Sequence, residues 1–471
     1  MPRLQPPAAP RGPARRFGLA AALLLLLGPG AATAESLADA MVAAYRHAAL
    51  LDQNRAVLRA ADEDVASAMA RLRPILSWSL QHDFQTVEGR DTTSQLASLG
   101  AEMTLYDWGR NALAIDAAKE IVLATRAQLV AVEQDVLLRA VAAYLDVRSA
   151  RQQVDLQENS VRVLTEEERA ARDRFAVGEI TVTDVSLAEA QLAATRAQLA
   201  TAEGTLQVAI EDYKAATGMG PGDLSAPPSL PTLPASVGAA QAIAVRSHPG
   251  IEGAQRNVAA AELQVAAAAA ERRPLLTGNA SVFIQRDEDL LGEKAVSDGA
   301  RVGLEMRQTL YSGGSLSASH RKAMANRDRA RAALLQSARD VARQVGIAWA
   351  NIDVARAQIS AIEEQISAAQ QAYEGVREEA TLGARTTLDV LDAEQDLLEA
   401  RANRITAEAN LQLAHYQLLS AMGLLTVENL KLGIPTYDPS AYYNAVRDAP
   451  YTSEQGENLD RVLRAIGKDT R

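Results

Sequence analysis

An internal repeat is the feature of this sequence that most constrains its fold. Over a long stretch, the two halves of the chain align at a constant offset of 205 positions. Such self-similarity indicates that each half folds as the same unit. The matched positions are Leu105-Tyr106 with Leu310-Tyr311, Ala143-Tyr144 with Ala348-Trp349, Val177-Gly178 with Leu382-Gly383, Asp184-Val185 with Asp389-Val390, and Gly218 with Gly423.

The repeat also divides the chain into segments. Repeat one is assigned to residues 35–217 and repeat two to residues 236–425, and a linker with several prolines and glycines joins them at 218–235. Residues 426–471 lie beyond the repeat, where we predict an irregular tail. Residues 1–34 have an arginine-containing start, an apolar run and a small-residue ending, which is typical of a signal peptide.

Each repeat is predicted to run in the order helix, strand pair, long helix and return helix. Pro74 and Pro274 are expected to stop the first helix of each repeat. The strands are predicted from alternating apolar and polar residues, a pattern that Phe283 interrupts. The apolar rows are expected to face lipid, because an outward apolar face is what lipid requires. The residues assigned to this lipid face are Leu76, Trp78, Leu80, Val302 and Leu304.

The helices carry a sustained period of seven residues, which predicts left-handed supercoiling. Large residues at one heptad position alternate with small residues at another, so neighbouring helices can approach closely; Arg404 is the one interruption. The long helix of repeat one is predicted from Asn111 to Arg174, which is roughly 95 Å at the helical rise. The large heptad residues are Val185, Leu192, Leu199, Leu206 and Tyr213 in repeat one and Val390, Leu397, Leu411 and Leu418 in repeat two.

Composition argues against several classes of function. The chain has 48 Lys and Arg against 59 Asp and Glu, a net charge of −11, which opposes nucleic acid as a partner. It has no cysteine, and its five histidines are scattered without metal-ligand spacing, so no cofactor or metal is predicted. After residue 34 no apolar run approaches about 18 residues, so membrane insertion is expected to use β-strands.

Four amphipathic strands per chain are too few to close a membrane barrel, because single-chain barrels start at about eight strands. An open strand edge in lipid would leave backbone groups unpaired, so several copies are expected to share one barrel. Only a barrel larger than about eight strands leaves a water-filled lumen. The predicted fold class is therefore mostly α, with long α-helical coiled coils, a small transmembrane β-barrel and a tandem structural repeat.

The turns of both repeats resemble those of the TolC-like outer-membrane efflux and secretion channels. The resemblance is carried by the strand-to-helix turns at 106–110 and 311–314 and by the tips at 177–185 and 382–393, and it covers nearly all of residues 36–425. It implies a homotrimer with one twelve-stranded barrel in the lipid of the outer membrane and a helical tunnel in the periplasm. It also implies a periplasmic adaptor (membrane fusion) protein and an inner-membrane transporter as partners.

The resemblance further implies roles for residues at the tips. Asp184 and Arg385 correspond to positions whose links hold the periplasmic gate of the family shut. Ala380 stands where the best-known member of the family has a tyrosine latch, so one closing contact is absent. On the residues alone, Asp184 is also a candidate helix-capping residue and Arg385 a solvated surface charge. The turn residues Val177, Gly178, Leu382 and Gly383 are expected to serve adaptor docking.

Asp389 and Asp392 are predicted to form an anionic constriction. They are three residues apart and therefore share one face of a helix. Their equivalents in repeat one are Asp184 and Leu187, so the pair belongs to repeat two alone. In a trimer the pair would form stacked carboxylate rings, in which like charges are expected to resist full ionisation and attract multivalent cations. The resemblance places matching aspartates at the tunnel entrance, although spacing alone also allows the outer surface.

The function predicted is an outer-membrane exit duct of a tripartite efflux pump or of a type I protein secretion system. It would conduct substrate passively from periplasm to exterior and would not be an enzyme; the segment 311–315 lacks the Gly-Lys-Ser/Thr ending of a phosphate-binding loop. The alternative is a periplasmic coiled-coil adaptor or structural protein. That alternative predicts a single helical hairpin between compact β-domains, which the duplication and the strand pairs oppose.

Overall fold

The structure is a computed structural model that describes residues 34–87, 90–288, 293–446 and 461. The predicted signal peptide, except for residue 34, lies outside the described residues, as does the predicted tail after residue 446 except for residue 461. The described chain is mostly α-helical, with one group of strands in each repeat.

Both repeats have the same order of elements: two helices, two strands, a long helix and a return helix. The bounds in repeat one are α1 Leu37–His47, α2 Ala49–Ala70, β1 Ile75–Val87, β2 Arg90–Tyr106, α3 Arg110–Ala176 and α4 Val182–Thr217. The bounds in repeat two are α5 Val237–Ser247, α6 Pro249–Ala270, β3 Leu275–Glu288, β4 Lys294–Arg307, α7 Ser315–Thr381 and α8 Thr387–Ala421, after which comes α9 Pro439–Val446.

The first helical segment of each repeat is two helices, where the sequence predicted one. Ala48 separates α1 from α2 and His248 separates α5 from α6, and both have extended backbone. Pro249 then opens α6, at a position where its missing N–H costs nothing because the first helical N–H groups lack partners inside the helix. One extended residue therefore interrupts the helical backbone between α1 and α2 and between α5 and α6.

The prolines before the strands do not end the helices directly, which corrects the role predicted for them. α2 ends at Ala70 and α6 at Ala270, several residues before Pro74 and Pro274. In both repeats a short turn closes first, with the N–H of Arg73 donating to the carbonyl of Ala70 at 2.9 Å. The prolines therefore lie between this turn and the first strand.

The four strands form one antiparallel sheet in the order β1-β2-β3-β4. Its central pair, β2 with β3, joins the two repeats. The register aligns residues in rows across all four strands, so that Leu76 pairs with Ala101, Ala101 with Ala280, and Ala280 with Val302. Because the strand number is even and every pairing is antiparallel, the two edge strands β1 and β4 run in opposite directions.

The long helices carry the chain away from the sheet. α3 and α7 each have 67 residues, which is roughly 100 Å of helix and confirms the predicted long helix. The first half of α3 lies beside α2 and α6, where Arg256 of α6 reaches Glu120 at 3.5 Å. Its second half lies beside α4 and α8. None of the helices in the described ranges combines the length and hydrophobicity needed to cross a bilayer.

The largest core lies where α1 and α5 meet the middles of α3 and α7 and the far ends of α4 and α8. Tyr144 and Tyr213 are among the largest side chains completely buried there. The heptad prediction is confirmed at both ends of the return helices, and the middle positions Leu199, Leu206 and Leu411 are half-buried. The buried heptad residues are Val185, Leu192, Tyr213, Val390, Leu397 and Leu418.

The linker between the repeats is tied to the start of the described chain. The N–H of Glu35 donates to the carbonyl of Asp223 at 2.7 Å, and the Glu35 carboxylate accepts from the hydroxyl of Tyr213 at 2.5 Å. The hydroxyl of Tyr144 donates to the carbonyl of Ser225 at 2.7 Å. These bonds hold the linker against the largest core.

The tail after repeat two packs on α2 and α3 and contains α9, where the sequence predicted an irregular segment. Two of its tyrosine rings contact arginine side chains. The guanidinium carbon of Arg55 lies 5.3 Å from the ring centroid of Tyr437, and that of Arg126 lies 5.8 Å from the ring centroid of Tyr443. Stacked guanidinium groups of this kind stabilise a contact by cation–π attraction. The tail therefore fastens α2 to α3 next to the largest core.

Candidate functional site

One face of the sheet is apolar and exposed in the single chain. Rows of paired residues cross all four strands, and Trp78, Leu99, Val282 and Ala300 form one such row. Trp78 is 77% exposed, Val302 83% and Leu304 74%. All five residues predicted for the lipid face lie on this side, which we call the apolar sheet face; they are Leu76, Trp78, Leu80, Val302 and Leu304.

The opposite face of the sheet is polar, and it explains the interruption at Phe283. This ring lies in the row with Ser79, Ser98 and Gly299. The missing side chain of Gly299 leaves room for the ring, because a Cβ there would come within 3.0 Å of it. Arg301 covers the same ring at 5.7 Å. The aromatic residue therefore fills a gap on the polar face and does not shift the register.

A tight turn joins each strand pair to its long helix. Before α3, the carboxylate of Asp107 accepts from the N–H of Gly109 at 3.0 Å and from the N–H of Asn111 at 2.7 Å. Trp108 and Gly109 have φ values of 59° and 84°, and the Trp108 ring meets Tyr106 edge-on with centroids 4.7 Å apart. These aromatic rings lie at the border between the sheet and the helices.

The two hairpin tips, at 177–181 and 382–386, have the same backbone design. Gly178 and Gly383 have φ values of 81° and 79°, a conformation that favours glycine. The N–H of Ala384 donates to the carbonyl of Glu379 at 2.9 Å, and Glu179 does the same to Arg174. Next to the glycines, Val177 and Leu382 are 72% and 84% exposed, so each tip presents an apolar side chain to its surroundings.

The aspartates that follow the tips are capping residues in this structure. The Asp184 carboxylate accepts from the N–H of Thr181 at 2.9 Å, and Asp389 accepts from Thr386 at the same distance. In return, each threonine hydroxyl accepts from the backbone N–H of its aspartate, and the two bonds together form a capping box. These bonds, with a smaller contribution from Arg385, hold the pKa of Asp389 below its usual range. Within one chain, Asp389 therefore favours ionisation.

The predicted gate residues Asp184 and Arg385 have different partners within one chain. The Nε atom of Arg385 lies 2.9 Å from Oε2 of Glu379 in its own hairpin. The same guanidinium lies close enough to Asp389 to help lower the pKa of that carboxyl. Asp392 is exposed one turn further along α8, so the two aspartates of the predicted constriction share one helix.

Sequence reasoning missed a set of charged residues between the two hairpins. Glu394 of α8 is only 8% exposed, and its Oε2 atom is buried without a hydrogen-bond partner among the described residues. Nearby, Nε of Arg377 lies 3.6 Å from Oε1 of Glu167. The signal was present in the repeat, because Arg377 and Glu394 match Arg172 and Glu189 at the same offset.

The comparisons agree with this geometry. The family described as outer membrane efflux protein matches residues 41–219 and 242–424, which are the two repeats. The outer membrane efflux protein BepC of Brucella suis is 35% identical over 438 residues, covering 91% of this chain and 95% of the relative. The proteases secretion protein PrtF of Dickeya chrysanthemi is 28% identical, covering 82% and 88%.

Solved structures show the same fold. A crystal structure of CusC, from a study of its folding and transmembrane channel formation, superposes with a TM-score of 0.74 at 18% identity, covering 83% of this chain and 92% of that one. The family match spans both repeats, including the sheet and both hairpin tips. The chain belongs to the outer membrane efflux protein family.

Proposed function

We propose that this protein is the outer-membrane exit duct of a tripartite efflux pump or of a type I protein secretion system. Three copies share one twelve-stranded barrel, and their helices form a tunnel through the periplasm. Substrate passes from periplasm to exterior without chemical change, so the protein has no catalytic role. BepC is named for efflux and PrtF for protease secretion, and both uses are compatible with the same duct.

The observation that carries this proposal is the four-stranded sheet with one apolar and one polar face. A row such as Trp78, Leu99 and Val282 is exposed in the single chain, which is unfavourable in water and favourable in lipid. The sheet also has unpaired edges in the described chain at β1 and β4, which run in opposite directions. Copies placed side by side can therefore pair antiparallel throughout and close the barrel without a free edge.

The hairpin tips support the assignment of partners. They lie roughly 100 Å of helix away from the sheet, so they reach deep into the periplasm when the sheet is in the outer membrane. The exposed side chains of Val177 and Leu382 suit an apolar contact with a periplasmic adaptor protein. The adaptor would connect the tips to an inner-membrane transporter, which supplies the energy.

The charged residues at the tips support a gate. Asp184 and Arg385 are held at the start of the return helices, where neighbouring hairpins of a closed tunnel would approach each other. Asp389 and Asp392 would lie on the lumen side of that entrance as rings of carboxylates. The capping bonds keep Asp389 ionised, which strengthens an anionic constriction that prefers cations.

The proposal is tested by reconstituting the purified protein in planar bilayers and by native mass spectrometry in detergent. We expect trimers and stable pores that conduct without an energy source. A chromosomal deletion should raise sensitivity to small toxic compounds if the duct serves efflux, or abolish release of a secreted protein if it serves secretion. A monomeric protein that neither inserts nor conducts would overturn the duct and favour the periplasmic adaptor.

A further inference from the structure

The two repeats pair equivalent charges differently near the tips. In repeat one, Nη2 of Arg172 on α3 lies 2.8 Å from Oε1 of Glu189 on α4, so the pair closes within one hairpin. The equivalent residues of repeat two are Arg377 on α7 and Glu394 on α8. Arg377 instead lies 3.6 Å from Glu167, which belongs to α3 of the other repeat. The arginine at this position of the repeat therefore has two possible partners, a glutamate of its own hairpin or a glutamate of the other repeat.

Glu394 lies in the contact between α3 and α8, which we call the hairpin seam. Its lining residues are Ser160 and Leu164 of α3 and Leu391, Glu394 and Leu398 of α8. The seam is tightly packed, and Gln191 of α4 closes one side by donating to Gln395 at 3.1 Å. A carboxylate buried in such a place without a hydrogen-bonding partner on Oε2 is unfavourable, because its lost hydration is not replaced.

The charged and titratable groups around Glu394 come from α3, α7 and α8. α3 supplies Glu167, and α7 supplies Tyr373 and Arg377, both of which lie close enough to affect its titration or to be affected by it. On α8 itself, Arg401 is engaged with Gln370 of α7 at 2.6 Å. Arg377 is well placed to change partners, because 61% of its side chain is exposed.

We propose that Arg377 is a two-position latch whose position is set by the proton on Glu394. With Glu394 protonated, Arg377 pairs across the seam with Glu167 and holds the two hairpins together. With Glu394 ionised, its charge repels Glu167 and attracts Arg377, and the pair then closes within the hairpin, as Arg172 and Glu189 already do. The α7–α8 hairpin is released from α3, and the tip aperture widens. The latch rests on the proposed gated duct and adds a proton as its regulator.

The direction of the pH response follows from the environment of Glu394. Burial, helped by the charge of Glu167 and opposed by Arg377, raises its pKa from the ordinary 4.5 to about 7. The packed seam is therefore fully favoured at pH values below the ordinary pKa of a glutamate, and it weakens as pH rises through about 7. Acid is expected to close the tip, and neutral or alkaline conditions to open it.

The test compares single-channel conductance in planar bilayers at about pH 5 and about pH 8. We expect the wild type to conduct roughly twofold more, or better, at the higher pH, and Glu394→Gln to stay at its acid value throughout. Glu167→Gln removes the partner across the seam and should raise conductance at the lower pH. The matched control Glu189→Gln changes the equivalent position of repeat one and should keep the wild-type response.

A second measurement does not depend on pore formation. The chain has no cysteine, so Glu166→Cys on α3 and Glu399→Cys on α8, both at exposed positions, carry the only spin labels. With one labelled copy diluted among unlabelled ones, the α3–α8 distance should lengthen from acid to alkaline pH in this background and stay constant once Glu394→Gln is added. A pH-dependent distance without pores would support the latch and contradict the duct. If Glu394→Gln forms pores with the same pH response as wild type, and the α3–α8 distance is the same at acid and alkaline pH, the latch is contradicted and the duct is not.

Discussion

At the scale of single residues, the glycines that follow α4 and α8 illustrate how the break in each first helix is accommodated. Gly218 and Gly423 have φ values of 78° and 77°. A Cβ on Gly218 would lie 2.4 Å from the ring of His47, and one on Gly423 would lie 2.6 Å from the carbonyl oxygen of Ser247. In both repeats the return helix therefore ends against the point where the first helix is interrupted.

Gly423→Ala is expected to destabilise the protein by roughly 2–4 kcal/mol, because it adds left-handed strain and a clash with backbone atoms that cannot move aside. Thermal unfolding of the detergent-solubilised protein measures the effect. Gly204→Ala, in the middle of α4 with open space around it, is the control and should stabilise slightly. Equal unfolding temperatures for Gly423→Ala and wild type would show that the contact is not tight.

Asp62 predicts a dependence of stability on pH. Its side chain is 1% exposed, and both carboxylate oxygens are buried without hydrogen-bond partners among the described residues. Burial raises its pKa from 3.8 to about 6, against the opposing charge of Arg126. The contribution of Asp62 to folding stability is therefore complete at pH values below the ordinary pKa of an aspartate, and it is lost as pH rises through about 6.

Asp62→Asn removes the cost of burying a charge, so it should stabilise the protein by about 1–3 kcal/mol at neutral pH and have little effect in acid. Denaturant unfolding at several pH values measures this difference. The neighbouring Asp64→Asn, at an exposed position, should change neither stability nor its pH dependence. A gain from Asp62→Asn that is equal at all pH values would contradict the burial of a charge.

At the scale of elements, the sheet has an apolar and a polar face, and neighbouring residues of a strand point to opposite faces. Leu304 faces the apolar side with Gly278 as its partner, whereas Ser297 faces the polar side with Gln285. Both are exposed in the single chain, so exposure alone does not distinguish them. The distinction comes from the register, which aligns apolar side chains across four strands and polar ones on the other face.

Leu304→Arg should impair membrane assembly, because an arginine that faces lipid costs up to roughly 2–4 kcal/mol, depending on its depth. The yield of trimers in the outer-membrane fraction measures it. Ser297→Arg places the same side chain on the polar face and should assemble normally. If both variants assemble as well as wild type, the apolar sheet face does not contact lipid.

The hairpin tips are the second element with a testable role. Arg385 is held at the start of α8 by Glu379, and it lies beside the capped carboxylate of Asp389. Removing this positive charge would leave the proposed closing network without its donor.

Arg385→Ser should raise single-channel conductance by roughly twofold or more, because the closed state loses a contact that the open state does not make. Arg404→Ser removes an exposed arginine of the same helix, paired with Glu408 at 2.8 Å, and serves as the control. An Arg385→Ser channel that forms intact trimers with unchanged conductance would remove this residue from the gate.

At the scale of the whole molecule, the proposed trimer would join features that one chain supplies only in part. Its sheet has edges of opposite direction, and its aspartate pair exists once per chain. Threefold symmetry would join the edges and turn Asp389 and Asp392 into two stacked rings of carboxylates. Charge at that density is a property of the assembly and exceeds what one chain provides.

A trivalent cation on the periplasmic side should block the reconstituted wild-type channel at low concentration, whereas the Asp389→Ala, Asp392→Ala double variant should resist. Planar-bilayer recordings measure the block. Asp184→Ala loses the equivalent capping carboxylate of repeat one, where Leu187 replaces the second aspartate, so it should stay sensitive. Equal sensitivity of wild type and double variant would place the aspartates outside the pore.

The sequence by itself determined the elements and their order. The offset of the repeat shows that both halves have the same order of elements. The alternation from Leu76 to Leu80 and the heptads of the return helices are local periodic patterns, and each expresses which face of one element must avoid water. That is why the long helix of repeat one was predicted from Asn111 to Arg174 and is observed from Arg110 to Ala176, and why the strand pairs and the tips were predicted in their observed order.

Only the tertiary structure decided which of several chemically equivalent partners each side chain meets. The break at Ala48, the attachment of Glu35 to the linker and the packing of the tail depend on residues far apart in the sequence. The clearest case is the repeat itself, in which equivalent arginines and glutamates pair differently. Arg172 pairs within its hairpin, while Arg377 crosses to Glu167 because α8 of repeat two lies against α3 and buries Glu394.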